Sequence, residues 1–390
     1  MTKGEVYTEL SSRFQDMSDW LKANVGETSK SGVAIDHVSN SSLYSFCQCP
    51  NKFKLQRFDK ILQVEKPKAL RFGSLFHTMQ EEYWECVQRG FDLEILKAFL
   101  SDACFGEMDK EKEKLSTFDD NQFPWFDKEE YLSNLQEEID DCYLMTIQYA
   151  EDYYETDKEK YEVLEIEERM EFLVGDIKYV GIVDAVVRDK SSGAVYLVEH
   201  KTTADKNHEK YKSDLQYNPQ PLGYCYWARE KYGDEFGGVI YNVVKKQVVS
   251  SPYVLKKKKN GNLLSVADTK LANVSEKTFL EAVIKHDPDN YDAKKKEVTS
   301  KEYKLVLEKL RNKVFRFRYH IFYDNELIDK WYTDRDELIG MITYCTSNNI
   351  FPKNYSACFS SFMPCVYRYY CHNHDNIDLG QLGFYVKEDE

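Results

Sequence analysis

Two constellations in this chain hold residue types that do chemistry. The first pairs Asp184 with Glu199-His200-Lys201, and the second is a run of thiols, Cys358-x6-Cys365-x5-Cys371. Two acids and an amine on one sheet face call for compensation. A hard divalent cation, Mg2+ or Mn2+, supplies it, because such ions prefer oxygen ligands and retain waters. A cation held there lowers the pKa of water, grips a phosphate oxygen and stabilises charge on a pentavalent transition state. Lys201, a compact positive charge, would orient or help deprotonate that water and neutralise phosphate charge. The same triplet is also what an exposed hairpin salt bridge looks like, and bare D…ExK patterns are common.

The elements around the acids decide between these readings. Between 162 and 202 stand three strand-type stretches, VLEIEERMEFLV, IKYVGIVDAVVRD and AVYLVEHKTT, separated by Val-Gly-Asp and Lys-Ser-Ser-Gly. That spacing predicts an antiparallel meander. Alternation along the third strand puts Glu199 and Lys201 on one face and His200 on the other. With a turn near Lys190-Ser191, Asp184 falls opposite about residue 197, diagonal to Glu199. Residues 5–25 read as a surface helix followed by the linker GETSKSG, and Ser41 to Phe53 as a compact Cys/Pro segment. Phe76, Met79, Tyr83 and Val87 fall at helical spacing, and 91–158 reads as an acidic helical insertion broken at NQFPWF. A helix (PLGYCYWAREKYG), a strand (GGVIYNVVKKQVV), a Lys-rich excursion over about 250–312, a strand (KVFRFRYHIFYD) and a helix (DRDELIGMITYCTSN) follow. The order indicates an α+β (α/β) fold, a mixed central sheet flanked by helices.

Five segments in this order resemble the RecB-like branch of the PD-(D/E)XK nucleases. SSLYSFCQCPNKFKL is similar to that branch's N-terminal Ser-x-Leu…Cys-Pro element, and RFGSLFHTMQE to its Gly-x-x-x-His helix. GIVDAVVRDKSSGAVYLVEHKTT looks like its Asp…(D/E)-x-Lys-Thr hairpin, NPQPLGYCYW like its Gln-x-x-x-Tyr helix, and the C-terminal cysteines like its cluster motif. The resemblance implies a restriction-endonuclease-like core over 36–350, after a helix and linker at 1–35. Asp184, Glu199 and Lys201 would be catalytic, with the metal between His77, Asp184, Glu199 and the backbone carbonyl of His200. Gln220 and Tyr224 would organise the site and touch DNA. Glu81, one turn after His77 on the same face, could bind a metal water or, as the simpler expectation, face solvent. Gly73 and Gly181 fit close packing near a site or ordinary turns.

The start of the chain shows no apolar signal stretch and no membrane segment is visible, so a cytoplasmic location is expected, the host cytoplasm if the protein is viral. The ten cysteines are then free thiols or metal ligands. Three close thiols near the C-terminus suggest a soft-metal site whose fourth ligand comes from elsewhere. Zn2+ is one occupant, with His372 or His374 completing a tetrahedron. Resemblance to cluster-bearing nucleases of the RecB and CRISPR-adaptation kind implies a 4Fe-4S cluster on Cys49, Cys358, Cys365 and Cys371, clasping segment 351–390 to the N-terminal part. Cys47 is second choice, as it would fall on the wrong side of a strand-like segment. The first gap departs from the commoner C-x2-C-x5-C. Cys86, Cys104, Cys142, Cys225 and Cys345 read as small core residues.

A net charge of −14 speaks against nucleic acid at first, but residues 241–320 hold 19 Lys/Arg against 9 Asp/Glu. Runs such as Lys256–Lys259 and Lys294–Lys296 would contact phosphates, or be solvated loops. The expected function is a Mg2+- or Mn2+-dependent DNA nuclease, an exonuclease acting on single strands or duplex ends. Recombination, repair, phage DNA metabolism and CRISPR adaptation all fit. No GxxxxGK[ST] loop is present, so unwinding would need a helicase or another recombination or adaptation partner. The other reading is an inactive nucleic-acid-binding scaffold with a structural metal site.

Overall fold

The structure, a computed structural model, describes residues 35–204, 208–250, 253, 255, 271, 273–311, 313–359, 364–373 and 378–387. The expected helix over 5–25, its linker, the run Lys256–Lys259 and His374 lie outside the described residues. The first half of the chain forms β1 (His37–Val38), α1 (Asn40–Gln48), α2 (Pro50–Arg57), β2 (Ile61–Gln63), α3 (Lys68–Arg89), α4 (Leu93–Ser116) and α5 (Lys128–Lys160). Then come β3 (Tyr161–Val174), β4 (Ile177–Asp189), β5 (Val195–Thr203), α6 (His208–Leu215), α7 (Gln220–Tyr232) and β6 (Phe236–Lys245). An insertion holds α8 (Glu276–His286), β7 (Tyr291–Asp292), β8 (Glu297–Val298) and α9 (Lys301–Arg311). The chain ends with β9 (Arg316–Ile321), α10 (Asn325–Ser347), α11 (Arg368–Asn373) and β10 (Phe384–Val386). Polar caps start these helices: Ser39 with Ser42 boxes α1, and Asp92, Asp127 and Asp324 accept from the first free N–H groups of α4, α5 and α10.

The central sheet has six strands in the order β1-β4-β5-β6-β9, with β3 also on β4. β1–β4 and β5–β6 are parallel and the other pairs antiparallel, so the sheet is mixed. β3 covers the whole of one edge of β4. The other edge is divided: β1 pairs Lys178 and Tyr179, while β5 pairs Ala185 to Arg188. Between those stretches the strands fork, and Asp184 stands at the fork.

Each face of the sheet carries a core. On one, Val186, Leu197, Val239 and Tyr241 pack with Cys225 of α7 and Trp331 and Ile339 of α10. On the other, Ala185, Val187, Val198 and Ile240 pack with Phe76, Met79 and Trp84 of α3 and Ile139 and Tyr149 of α5. Each fully buried aliphatic or aromatic side chain contributes roughly 1.5–3 kcal/mol. The α+β sandwich of helices around a mixed sheet is the expected fold. Inserted between β6 and β9, α8 and α9 enclose a small core of their own around Phe279, Val283, Tyr303 and Leu310. No helix among the described residues is long and apolar enough to cross a membrane.

Three local expectations need correction. Pairs Ala185↔Val198 and Val186↔Leu197 put Asp184 opposite Glu199 itself, not residue 197. The cause is the turn: Asp189 accepts from Ser191 N at 2.9 Å and Ser192 N at 3.1 Å, and its own N–H donates to Ala194 O, which holds a loop over 190–193. Secondly, β9 stops at Ile321 and α10 begins at Asn325, well before Asp334, because Asp324 caps it through Glu326 N at 2.7 Å. Thirdly, a Cβ at Gly73 would meet nothing within 4 Å, so no close packing requires that glycine.

Two consequences for stability follow. The Asp189 carboxyl is held down at about 2, first by the Ser191 hydroxyl and then by the turn N–H groups. Its folded value lies below the unfolded one of about 3.9, so its contribution is present above pH ~4 and lost as pH falls toward 2. Asp189→Ala is expected to cost about 1–2 kcal/mol at pH 7 in denaturant unfolding, with the gap from wild type closing below pH 3. Arg71 of α3 donates from Nε and Nη2 to both oxygens of Glu138 of α5, each at 2.7 Å, and Glu138 is 2% exposed. Glu138→Gln leaves the buried guanidinium with only the longer charged contact to Glu65, at 3.3 Å, and a loss of about 3 kcal/mol is expected in the same assay.

Candidate functional site

The Arg71–Glu138 pair fixes α3 against α5, and one and a half turns later α3 presents His77. His77 Nδ1 lies 3.1 Å from Asp184 Oδ1 at the sheet fork. The other Asp184 oxygen accepts the His200 backbone N–H at 2.6 Å, so the acid itself bridges the strands where their ladder opens. Asp184 is 11% exposed at the side chain and Glu199 2%. Lys201 Nζ donates to Glu199 Oε1 and, at 3.0 Å, to Gln220 Oε1, while Gln220 Nε2 donates to Tyr224 OH at 2.9 Å. Glu199 Oε2 is buried and has no hydrogen-bond partner. The structure therefore brings together His77, Asp184, Glu199, Lys201, Gln220 and Tyr224.

His200 turns the other way, as alternation along the strand requires. Its Nε2 accepts from Trp84 Nε1 at 2.8 Å, and burial pushes the imidazole down to about 3, so a neutral ring pins β5 to α3. Around the acids, charge is balanced by contact. Burial works against the charge of Lys201, but Glu199 and Asp184 outweigh it and raise its pKa. Burial likewise opposes protonation of His77, and Asp184 outweighs it, lifting the ring to about 9. Asp184 is lowered, with His77 overcoming the cost of burial, whereas burial wins at Glu199 and raises it despite Lys201.

One residue near the acids carries no mark in the sequence. Glu167 of β3 places a carboxylate oxygen in a group with His77 and Asp184 whose ligand atoms all lie within 4.8 Å of one another. Burial, then Asp184 and Glu81, push its carboxyl up to about 7. Glu162, Glu165, Glu167, Glu168 and Glu171 all crowd this strand, and nothing in their spacing singles one out. Glu81 is half-buried rather than free in solvent, and burial and Glu85 raise its carboxyl. Tyr224 is 6% exposed and braced by Gln220. Gly181 is needed: a Cβ there would strike Met170 and come within 2.9 Å of the Tyr224 ring. Beside the fork, a cleft of about 410 Å³ opens between Ser39–Ser41, Arg169, Val180–Ile182, Gln220 and Tyr224. The acids and imidazole fit a hard cation, having oxygen donors, a buried unpartnered carboxylate oxygen and one ring nitrogen.

The second constellation gathers where the two ends of the fold meet. β10 pairs antiparallel with β2, and Tyr367 OH donates to Ile61 O at 2.8 Å. Cys49 sits at the break between α1 and α2, its Sγ accepting from Asn354 N at 3.3 Å, and Cys371 Sγ accepts from Asn51 Nδ2 at 3.3 Å. Cys365 N donates to Cys358 O at 3.2 Å. Burial and then the neighbouring Cys365 and Cys49 raise the Cys358 thiol, and Cys371 also feels Cys365 and Cys49. The x6 gap thus still delivers Cys358 to the group. Cys47 is exposed, on the last turn of a helix rather than on a strand. His372 lies against the Tyr355 ring. Cys86, Cys142, Cys225 and Cys345 are buried core residues and Cys104 is half-buried.

No curated protein matches the chain. The model of the PD-(D/E)XK nuclease superfamily, a group of metal-dependent nucleases, matches residues 37–320. That span runs from β1 into β9 and takes in the fork, its acids and the helices that carry His77 and Gln220, and with most of its length matched the chain belongs to the PD-(D/E)XK nuclease superfamily.

Proposed function

We propose that this nuclease is a RecB-like DNA exonuclease that works on strand ends, with a divalent cation held by His77, Asp184, Glu199 and the His200 backbone carbonyl. The observation that carries the reading is the meeting of an imidazole from α3 with two hairpin acids and Lys201 at the fork. A Mg2+ or Mn2+ ion bound there supplies a Lewis acid at the scissile phosphate. The protein's own groups do the positioning. The His200 N–H orients Asp184, and Gln220, itself held by Tyr224, keeps the Lys201 ammonium beside Glu199, where it faces phosphate charge. The adjoining cleft has Arg169 among its lining residues, a cation suited to a phosphate. The Lys-rich insertion, including exposed Lys294–Lys296, is the second region suited to the backbone of DNA.

The same reading gives Cys49, Cys358, Cys365 and Cys371 a 4Fe-4S cluster. The grouping of Cys358 and Cys371 about Cys365 and Cys49, and N–H donors on two of the sulfurs, support it. The cluster closes a loop of some three hundred residues, a structural role.

End-labelled single- and double-stranded DNA, digested with Mn2+ or Mg2+, tests the chemistry. Asp184→Ala and Lys201→Ala are each expected to lower the rate at least about 100-fold while DNA binding persists. Rates equal to wild type would remove these residues from the site, and release of internal fragments before mononucleotides would replace exonuclease with endonuclease. Anaerobic purification tests the cluster: wild type and Cys47→Ser should be brown and carry iron, and Cys49→Ser pale and more easily unfolded. A colourless wild type with stoichiometric zinc would assign the thiols to Zn2+.

A further inference from the structure

Glu167 stands in the middle of a strand with a left-handed backbone, φ 48°, a conformation that β-strands do not use and that non-glycine residues seldom adopt. Pairs Ile166↔Ala185 and Glu168↔Val183 on either side set it opposite Asp184. The reversal has a visible effect on its neighbours. Glu165 and Glu168, three residues apart and so on opposite faces of a regular strand, both reach Lys231 Nζ, at 2.5 and 3.3 Å. The backbone reversal at 167 breaks the alternation, and the Glu167 side chain leaves the lysine to its neighbours and joins His77 and Asp184. No lysine or arginine among the described residues pairs with it. It stands half-buried within the influence of Asp184, Glu81 and Glu199. A second, independent observation points the same way: the Glu199 carboxylate, 2% exposed, acts on Asp184, His77 and Glu167, and its Oε2 has no hydrogen-bond partner. Three carboxylates share this space with a single lysine.

We propose that Glu167 is a third carboxylate ligand of the catalytic cation, and that with it the protein holds the ion before DNA arrives. The proposal rests on the nuclease reading above and adds a ligand to it. Mg2+ and Mn2+ sites with one or two carboxylates depend on substrate phosphate to complete the shell. Here an oxygen from β3 adds a protein ligand, so that waters can fill the other positions until the scissile phosphate displaces one. A strained backbone conformation is then retained because it aims the side chain, the usual reason for strain at a site.

Mn2+ titration of the full-length protein without DNA, read by the loss of the free-ion electron paramagnetic resonance signal, tests this directly. Wild type should bind about one ion. Glu167→Gln should raise the dissociation constant at least tenfold, Glu167→Asp should restore part of the affinity, and Glu168→Gln should match wild type. Circular dichroism melting of each variant checks that the fold survives. Glu167→Gln binding within twofold of wild type, or wild type binding no Mn2+ without DNA, overturns the proposal. The nuclease reading is tested separately by Asp184→Asn: if Glu167→Gln binds normally and Asp184→Asn does not, only Glu167 leaves the site. If Asp184→Asn also binds like wild type, the cation assignment at the fork falls with it.

Discussion

Carboxylates taken out of water repel one another and lose hydration, and this nuclease places two of them, Asp184 and Glu199, opposite each other where the sheet opens. Much of the surrounding architecture answers that cost. The acids have room only because β4 gives part of one edge to β1 and part to β5, leaving a gap in the ladder between them. The gap in turn leaves the His200 N–H for Asp184, and a backbone donor that a regular ladder would consume becomes a device for orienting an acid. Gln220 and Tyr224 hold the one lysine in place, and the ion pair of Arg71 with Glu138 sets the helix that delivers His77.

The two cores divide the labour. The side of α7 and α10 anchors the residues that hold Lys201, and the side of α3, α4 and α5 anchors His77 and, through Trp84, the back of β5. A ring that points away from the acids contributes by being neutral and buried, because a charged imidazole there would add a second uncompensated cost. The net charge of −14 sets most of the chain apart from residues 241–320, where basic residues outnumber acidic ones.

Much of this was legible in the sequence because period-two alternation and a short turn leave a hairpin few options. Asp184, Glu199 and Lys201 had to be close, and His200 had to face away. The two-residue error in register came from turn chemistry: Asp189 binds two N–H groups of the loop, which moves the turn one residue later than a Lys190-Ser191 centre. The start of α10 was hidden by a strand-like run whose terminating signal, Asp324, is a single residue. Cys47 was placed second for a reason that does not apply, since the segment is helical and not a strand. Glu167 had no signal at all. A left-handed strand residue is usually announced by Gly or Asn, and a glutamate among four others announces nothing.

The pairing of β10 with β2 bears on how the molecule is made. Residues 61–63 leave the ribosome early, yet among the described residues their strand partner is 384–386. Every group at the fork is translated more than one hundred and fifty residues before that partner, since Tyr224 is the last of them. The catalytic half can therefore gather during translation while β2 waits for its pairing strand, and a message cut short before codon 384 would encode every fork residue but leave that edge open.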